Sequence, residues 1–202
     1  MGTQLTRVLL VRHGQSTWNA DGRWQGRADP PLSELGRRQA EVAAETIATL
    51  DIVAIWASPL VRAYETATFM GKRLDLEIQC DPRLQERDAG EWTGKTRAEI
   101  EAGWPGFLED GRRPVGFETD DVLHDRALAA VHAIAATAHE PVVIISHGGV
   151  IRVVERALGS EPHSVPNLGG LDICRVPDGL ELTGRTVLID AAAVMVTSPP
   201  EV

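Results

Sequence analysis

The chain has 202 residues, of which 43% are hydrophobic, and its 20 Lys and Arg against 29 Asp and Glu give a formal net charge of −9. That is enough apolar material for one substantial core, and so acidic a balance excludes a general nucleic-acid or anionic-membrane binder, which needs a basic face. Cys80 and Cys174 form no motif, so reduced thiols in a cytoplasmic setting are expected.

In chain order, strand-like and helix-like runs alternate. Val8, Leu9, Leu10 and Val11 predict a strand over 7–12, too short for a signal-peptide core or a membrane span. It stops at Arg12-His13-Gly14, where the glycine is expected to let the backbone turn. A helix over 33–49 starts at Ser33 and carries Ala40, Ala43, Ala44 and Ile47 as its apolar stripe. A strand over 52–57 is followed by a helix over 59–74, with Ser58 as N-cap, Pro59 as first helical residue and Arg62 just inside. A strand over 76–80 leads into the loop LQERDAGEWTG at 84–94, which carries Glu86.

The segment 95–118 is rich in Gly, Pro and charge and contains Trp104 and Phe107; it reads as a lid over a pocket, with Arg112 and Arg113 balanced between substrate contact and solvent. Beyond it come a helix over 119–138, a strand over 142–146 ending in His147-Gly148-Gly149, and a helix over 148–158. Runs at 171–176 and 185–190 predict a closing hairpin at the sheet edge, and residues 191–202 are expected to fray. Met1-Gly2 with Thr6 fits a loose myristoylation pattern of little weight. The alternation implies an α/β fold, a sheet with helices on both faces, as one domain over 1–202.

The chemistry gathers at strand ends, where open α/β folds keep their ligand crevices. An imidazole is a nucleophile near neutral pH, and an adjacent guanidinium can hold a phosphoryl group against it by charge-assisted hydrogen bonds. Arg12-His13 supplies both, and His147 repeats the geometry at the second strand. Arg62 stands at a helix N-terminus, where anions bind. A carboxyl group opposite the nucleophile would protonate the leaving alkoxide, and the loop at 84–94 offers Glu86, Asp88 and Glu91 for that part. The other histidines, His124, His132, His139 and His163, show no metal-ligand spacing, so neither metal nor cofactor is expected.

RHGQSTWN, SPLVRAYETA, LQERDAGEWTG and VVIISHGG, taken in order, resemble the motifs of the histidine phosphatase superfamily, also called the phosphoglycerate mutase-like family, over roughly residues 7–160. The resemblance implies a three-layer sandwich with a mostly parallel sheet and the two histidine-bearing strands adjacent at its centre. It implies that His13 becomes phosphorylated, that Arg12, Arg62 and His147 hold the phosphoryl oxygens, and that Glu86 is proton donor and then base for water. Asn19 and Gln25 match positions at or near the phosphate, and the Gly148 amide adds a donor. Asp88 and Glu91 stand near Glu86, but Leu84-x-Glu86 followed by Gly90-x-Trp92 is the family's register.

The activity so implied is metal-independent hydrolysis of small phosphate monoesters through a phosphohistidine. The alternative is a phosphoglycerate mutase, since RHGQSTWN is nearly the mutase motif and Arg112-Arg113 is similar to a basic pair in the mutases. Three departures favour the phosphatase branch: Gln25-Gly26 where the mutases have a small residue before the glycine, Arg87-Asp88-Ala89 where they carry a tyrosine, and a shorter specificity segment. A catalytically silent binding module is the third reading, and the occupancy of every expected catalytic position weighs against it. The expected partner is a small phosphorylated substrate; the sequence leaves the oligomeric state open, a homodimer included.

Overall fold

Val8 to Val11 are all fully buried, which a strand achieves only if both faces of its sheet are covered. The period of two sorts them: Val8 and Leu10 join one apolar cluster, Leu9 and Val11 another. The computed structural model describes residues 6–138 and 140–190; His139, the Met1-Gly2 pattern and the 191–202 segment lie outside them.

The elements run β1 (Arg7–Arg12), α1 (Thr17–Ala20), α2 (Glu34–Ile47), β2 (Ala54–Ala57), α3 (Val61–Leu74), β3 (Ile78–Cys80), α4 (Arg97–Gly103), α5 (Phe107–Asp110), α6 (Asp120–Thr137), β4 (Val142–Ser146), α7 (Gly148–Ala157), β5 (Gly169–Val176) and β6 (Gly179–Val187). Six strands form one sheet in the order β3-β2-β4-β1-β5-β6. β1 to β4 pair in parallel, and β5 and β6 close one edge antiparallel. Leu123, Ala127 and Ile134 of α6 with Val150, Ile151 and Val154 of α7 cover one face. Ala43, Ala44 and Ile47 of α2 with Ala63, Ala67 and Met70 of α3 cover the other. The result is the three-layer α/β sandwich with β1 and β4 adjacent near its centre.

The start of α2 follows the sequence: the Ser33 side chain accepts from the Gly36 amide at 3.0 Å. The start of α3 does not. Its N-cap is Leu60 rather than Ser58, and the Val61 amide donates to the Asp29 carboxylate at 2.6 Å instead. The last strand is also displaced from 185–190, beginning at Gly179 after the two-residue turn Pro177-Asp178. Its side chains alternate between half-buried and exposed, so its start carries no apolar run. The segment 95–118 contains two short helices, α4 held by a reciprocal Thr96–Glu99 cap, and Trp104 and Phe107 pack on a small cluster around Trp92 and Ile100. Cys80 and Cys174 are free thiols. Among the described residues no helix is long and apolar enough to cross a membrane.

Candidate active site

Because Arg12 and Ser146 are register partners at the ends of β1 and β4, the next residues, His13 and His147, leave neighbouring strands side by side. Their ring centroids are 5.1 Å apart at 63°, and the His13 amide donates to the Ser146 carbonyl at 3.0 Å. Close packing sets the turn that follows. A side chain on Gly14 would begin 2.7 Å from the Gly36 carbonyl oxygen, and Gly14 is not among the glycines with positive φ, so the residue serves close approach to α2 rather than a left-handed turn.

His13 is oriented at both ring nitrogens. Nδ1 lies 2.6 Å from the Gly14 carbonyl oxygen, which can only accept, so Nδ1 carries the proton. Arg62 Nε donates to Nε2 at 3.2 Å, so that nitrogen carries the lone pair. Burial holds the ring well below its ordinary pKa, and the charges of Arg62 and Arg12 add to the effect. The imidazole is therefore neutral at neutral pH. The His13 carbonyl is fixed by Asn167 Nδ2 at 3.0 Å.

Backbone carbonyls aim the two arginines. Arg62, fully buried, donates to the carbonyls of Ala28 at 2.8 Å and Gly26 at 3.0 Å, and Arg12 donates to that of Val165 at 2.8 Å. Burial pulls both pKa values down to about 10, with Glu86 opposing, which leaves both cationic at neutral pH.

His147 is fully buried and does not form part of the pocket wall. Its Nε2 lies 2.8 Å from the Ser58 hydroxyl, while Nδ1 has no hydrogen-bond partner among the described residues. Burial, then Arg62, His13 and Arg12, keep this ring unprotonated too. The Ser58 hydroxyl also accepts from the Leu60 amide at 3.3 Å, so it joins the histidine to the turn before α3 and is not the cap of the helix itself.

Glu86 lies on the pocket wall; Asp88 and Glu91 do not. Its oxygens accept from the Arg87 amide at 2.8 Å and the Gly149 amide at 3.1 Å. A side chain on Gly149 would begin 2.2 Å from Glu86 Oε1, so this position must be glycine for the carboxylate to sit there. Asn19, Gln25 and Gly148 also line the pocket. Ser16 ties the first two together, donating to Gln25 Oε1 at 2.7 Å and accepting from the Asn19 amide at 3.0 Å. Arg23, Trp24, Arg87, Phe117 and Arg152 complete much of the wall.

Arg112 and Arg113 are exposed and do not line the pocket: Arg112 pairs with Asp110 at 2.6 Å, and Arg113 lies over the rings of Trp92 and Phe117. No group of three or more His, Cys, Asp or Glu among the described residues is arranged to hold a metal ion. His132 is exposed, His124 meets Asp125, and His163 meets Glu155. Ser58, expected as a helix cap, and Gly149, Asn167 and Arg152 belong to the site although nothing in the sequence assigns them a role there.

This arrangement, a neutral buried imidazole between two guanidinium groups with a carboxylate across the pocket, agrees with the comparison by sequence. Residues 8–177 match the model of the histidine phosphatase superfamily, branch 1. The chain belongs to the histidine phosphatase superfamily. Among its histidine phosphatase relatives is the glucosyl-3-phosphoglycerate phosphatase of Mycolicibacterium vanbaalenii, 38% identical over 182 residues that cover 83% of this chain and 81% of the relative. A metal-independent phosphoserine phosphatase of Arabidopsis thaliana is 37% identical over 162 residues, covering 75% of this chain and 68% of its own. The solved structure of a mycobacterial glucosyl-3-phosphoglycerate phosphatase in complex with VO3 superposes with a TM-score of 0.82 at 30% identity, covering 90% of this chain and 99% of that one. Family and relatives together make this histidine phosphatase a phosphoric monoester hydrolase and favour the phosphatase reading over the mutase.

Proposed function

We propose that the chain hydrolyses small phosphate monoesters, without a metal ion, through a phosphohistidine on Nε2 of His13. The observation that carries the reading is the fixed tautomer of that ring, with its proton held on Nδ1 by Gly14 and its lone pair on the nitrogen that faces Arg62. Phosphoryl transfer asks the protein chiefly to hold the nucleophile in line and to match the charge on the equatorial oxygens. Arg12 and Arg62 supply that match. Asn19, Gln25 and the Gly148 amide fill out the cradle, and His147 stands behind its wall, its ring 5.1 Å from that of His13, with an unpartnered Nδ1 suited to a phosphoryl oxygen that reaches between the two rings.

In the first step His13 Nε2 forms a bond to phosphorus as the ester P–O bond breaks, and Glu86 gives its proton to the departing oxygen. In the second, Glu86 takes a proton from water, the water oxygen bonds to phosphorus, and the P–N bond breaks to return neutral His13 and inorganic phosphate. Segment 95–118 acts as the covering lid of a single domain spanning 1–202, with its aromatic residues anchored around Trp92. A cytoplasmic setting fits the two free thiols.

The test is 31P NMR of the chain with 3-phosphoglycerate, with and without a bisphosphoglycerate primer and with and without EDTA. Inorganic phosphate as the main product, at a rate that EDTA leaves unchanged, is expected. Isomerisation to 2-phosphoglycerate faster than phosphate release would replace the hydrolase by a mutase, and a loss that magnesium or zinc restores would refute metal independence.

A further inference from the structure

One fully buried carboxylate does not line the pocket and takes no part in the chemistry proposed above. Glu155 stands two turns along α7 from Gly148, with partners on both of its oxygens. Oε2 accepts from the His163 amide at 3.1 Å and lies 2.7 Å from His163 Nδ1, which carries a proton because a carboxylate only accepts. Oε1 accepts from Arg185 Nε at 2.7 Å. Burial pushes the Glu155 pKa up, but the hydrogen bonds from His163 and Arg185 outweigh it and hold the group below the ordinary carboxylate range. A buried ion pair returns little net stability once its desolvation is counted, so the consequence of this one is the geometry it fixes.

That geometry is the path of the connection from α7 to β5. Residues 158–168 form neither helix nor strand. Glu155 grips them through His163, and Arg185 reaches from β6 to the Glu161 carbonyl at 2.9 Å. The far end of the same segment runs behind the catalytic residues. Val165, two residues beyond His163, and Asn167 are fully buried. The Val165 carbonyl accepts from Arg12 Nη1 at 2.8 Å, Asn167 Nδ2 donates to the His13 carbonyl at 3.0 Å, and the Leu168 amide donates to the Arg12 carbonyl at 3.1 Å. Leu168 has a φ of 58°, which a non-glycine residue keeps only where its surroundings enforce it. One segment without secondary structure of its own therefore sets the guanidinium and backbone of Arg12 and the backbone of His13.

We infer that Glu155 is a positioning residue for phosphoryl transfer: by tying His163 and Arg185 to α7, it holds residues 158–168 in the path that aims Arg12 at the phosphoryl oxygens and keeps His13 in line. The helix that presents Gly148 and Gly149 to the pocket at its start thus fixes, from its second half, the two residues at the end of β1. A glutamine in this place offers one acceptor oxygen where two are used, so it cannot serve His163 and Arg185 together. The inference rests on the roles proposed above for His13 and Arg12.

The experiment measures kcat/KM on 4-nitrophenyl phosphate, Ki for orthovanadate as a mimic of the phosphoryl group in transit, and the urea midpoint, for the full chain and its variants. Glu155→Gln is expected to lower kcat/KM by about tenfold and to raise Ki by a similar factor, the ratio that one charge-assisted hydrogen bond provides. Ile55→Ala opens a cavity in β2, which β4 and β1 separate from β5, and should lower the urea midpoint without moving kcat/KM or Ki. His163→Ala and Arg185→Gln, at partly exposed side chains, should each give part of the loss, and they decide the matter should Glu155→Gln not fold. Unchanged kcat/KM and Ki in folded Glu155→Gln, or in both of the other two, would overturn the inference. Equal shifts in Ile55→Ala would overturn it too, reducing the part of Glu155 to stability. A wild-type chain that neither hydrolyses the aryl ester nor binds vanadate would overturn the phosphatase reading and this inference with it, whereas an active wild type with insensitive variants removes this inference alone.

Discussion

Nε of Arg62 donates to Nε2 of His13 at 3.2 Å, so a cation rests against the lone pair that is to attack phosphorus. The contact adds to burial in keeping the nucleophile unprotonated, and it aims the ring at the place where a phosphoryl oxygen would meet the same guanidinium.

The first prediction concerns pH. His13 and His147 are both held well below 6.5, by burial first and then by neighbouring cations. Protons therefore bind the unfolded chain more readily than the folded one. The resulting penalty on stability is absent above the unfolded pKa of about 6.5, grows as pH falls below it, and is complete below the folded values. 15N NMR of labelled imidazoles should show His13 as the neutral Nδ1–H tautomer at pH 6, and urea midpoints should decline from pH 7 to 5. A His13 titration at or above pH 6.5 would contradict both the tautomer and its cause.

Gly149 and Glu86 form a pair that can be broken from either side. Glu86→Gln removes the acid, and Gly149→Ala drives a methyl group into the carboxylate, where the gap is 2.2 Å. Each variant is expected to slow alkyl phosphates by about a hundredfold while affecting activated aryl phosphates much less, because only a poor leaving group needs the proton. Steady-state kinetics on both substrate types tests this. Equal losses on both would mean that Glu86 shapes the pocket instead of delivering a proton.

Arg126 holds the loop on which Glu86 stands. Its guanidinium donates to the carbonyls of Arg83, Gln85 and Glu86 and pairs with the buried Glu118 at 2.7 Å. Glu118 in turn accepts from the Asp88 amide and from Arg27. Removing one partner of such a pair leaves a buried charge, so Arg126→Ala should lower the unfolding free energy by about 3 kcal/mol. Arg126→Lys should recover little, since a single ammonium cannot span these carbonyls. A urea-derived change below about 0.5 kcal/mol, the size of an ordinary surface substitution, would contradict this role.

The parts of this architecture that could be read from sequence are those written in local pattern. The apolar runs before Arg12-His13 and His147 announced the central parallel strands, and the stripe from Ala40 to Ile47 announced a helix; these elements have both a period and a boundary. Ser58 was misread because Ser-Pro before a helical run is a capping pattern, while its hydroxyl is claimed by a histidine 89 positions away. Asp29 took over the cap from a distant loop, which no local rule indicates. The start of β6 had a usable signal in Pro177-Asp178-Gly179, and α4 had one in Thr96-x-x-Glu99, but polar composition masked both. Arg152 had no signal at all: a lone arginine on a helix reads as a surface charge until the fold turns it toward the pocket.

The most direct test of the central claim is to trap the intermediate. The chain, mixed with a 32P-labelled ester and quenched in alkali within the first turnover, should carry label that survives base, is released by acid, and maps to a peptide containing His13. His13→Ala should carry none and should lose nearly all activity. Turnover without a trappable phosphoenzyme, together with a His13→Ala variant that retains most of its rate, would show that the phosphoryl group never passes through this ring.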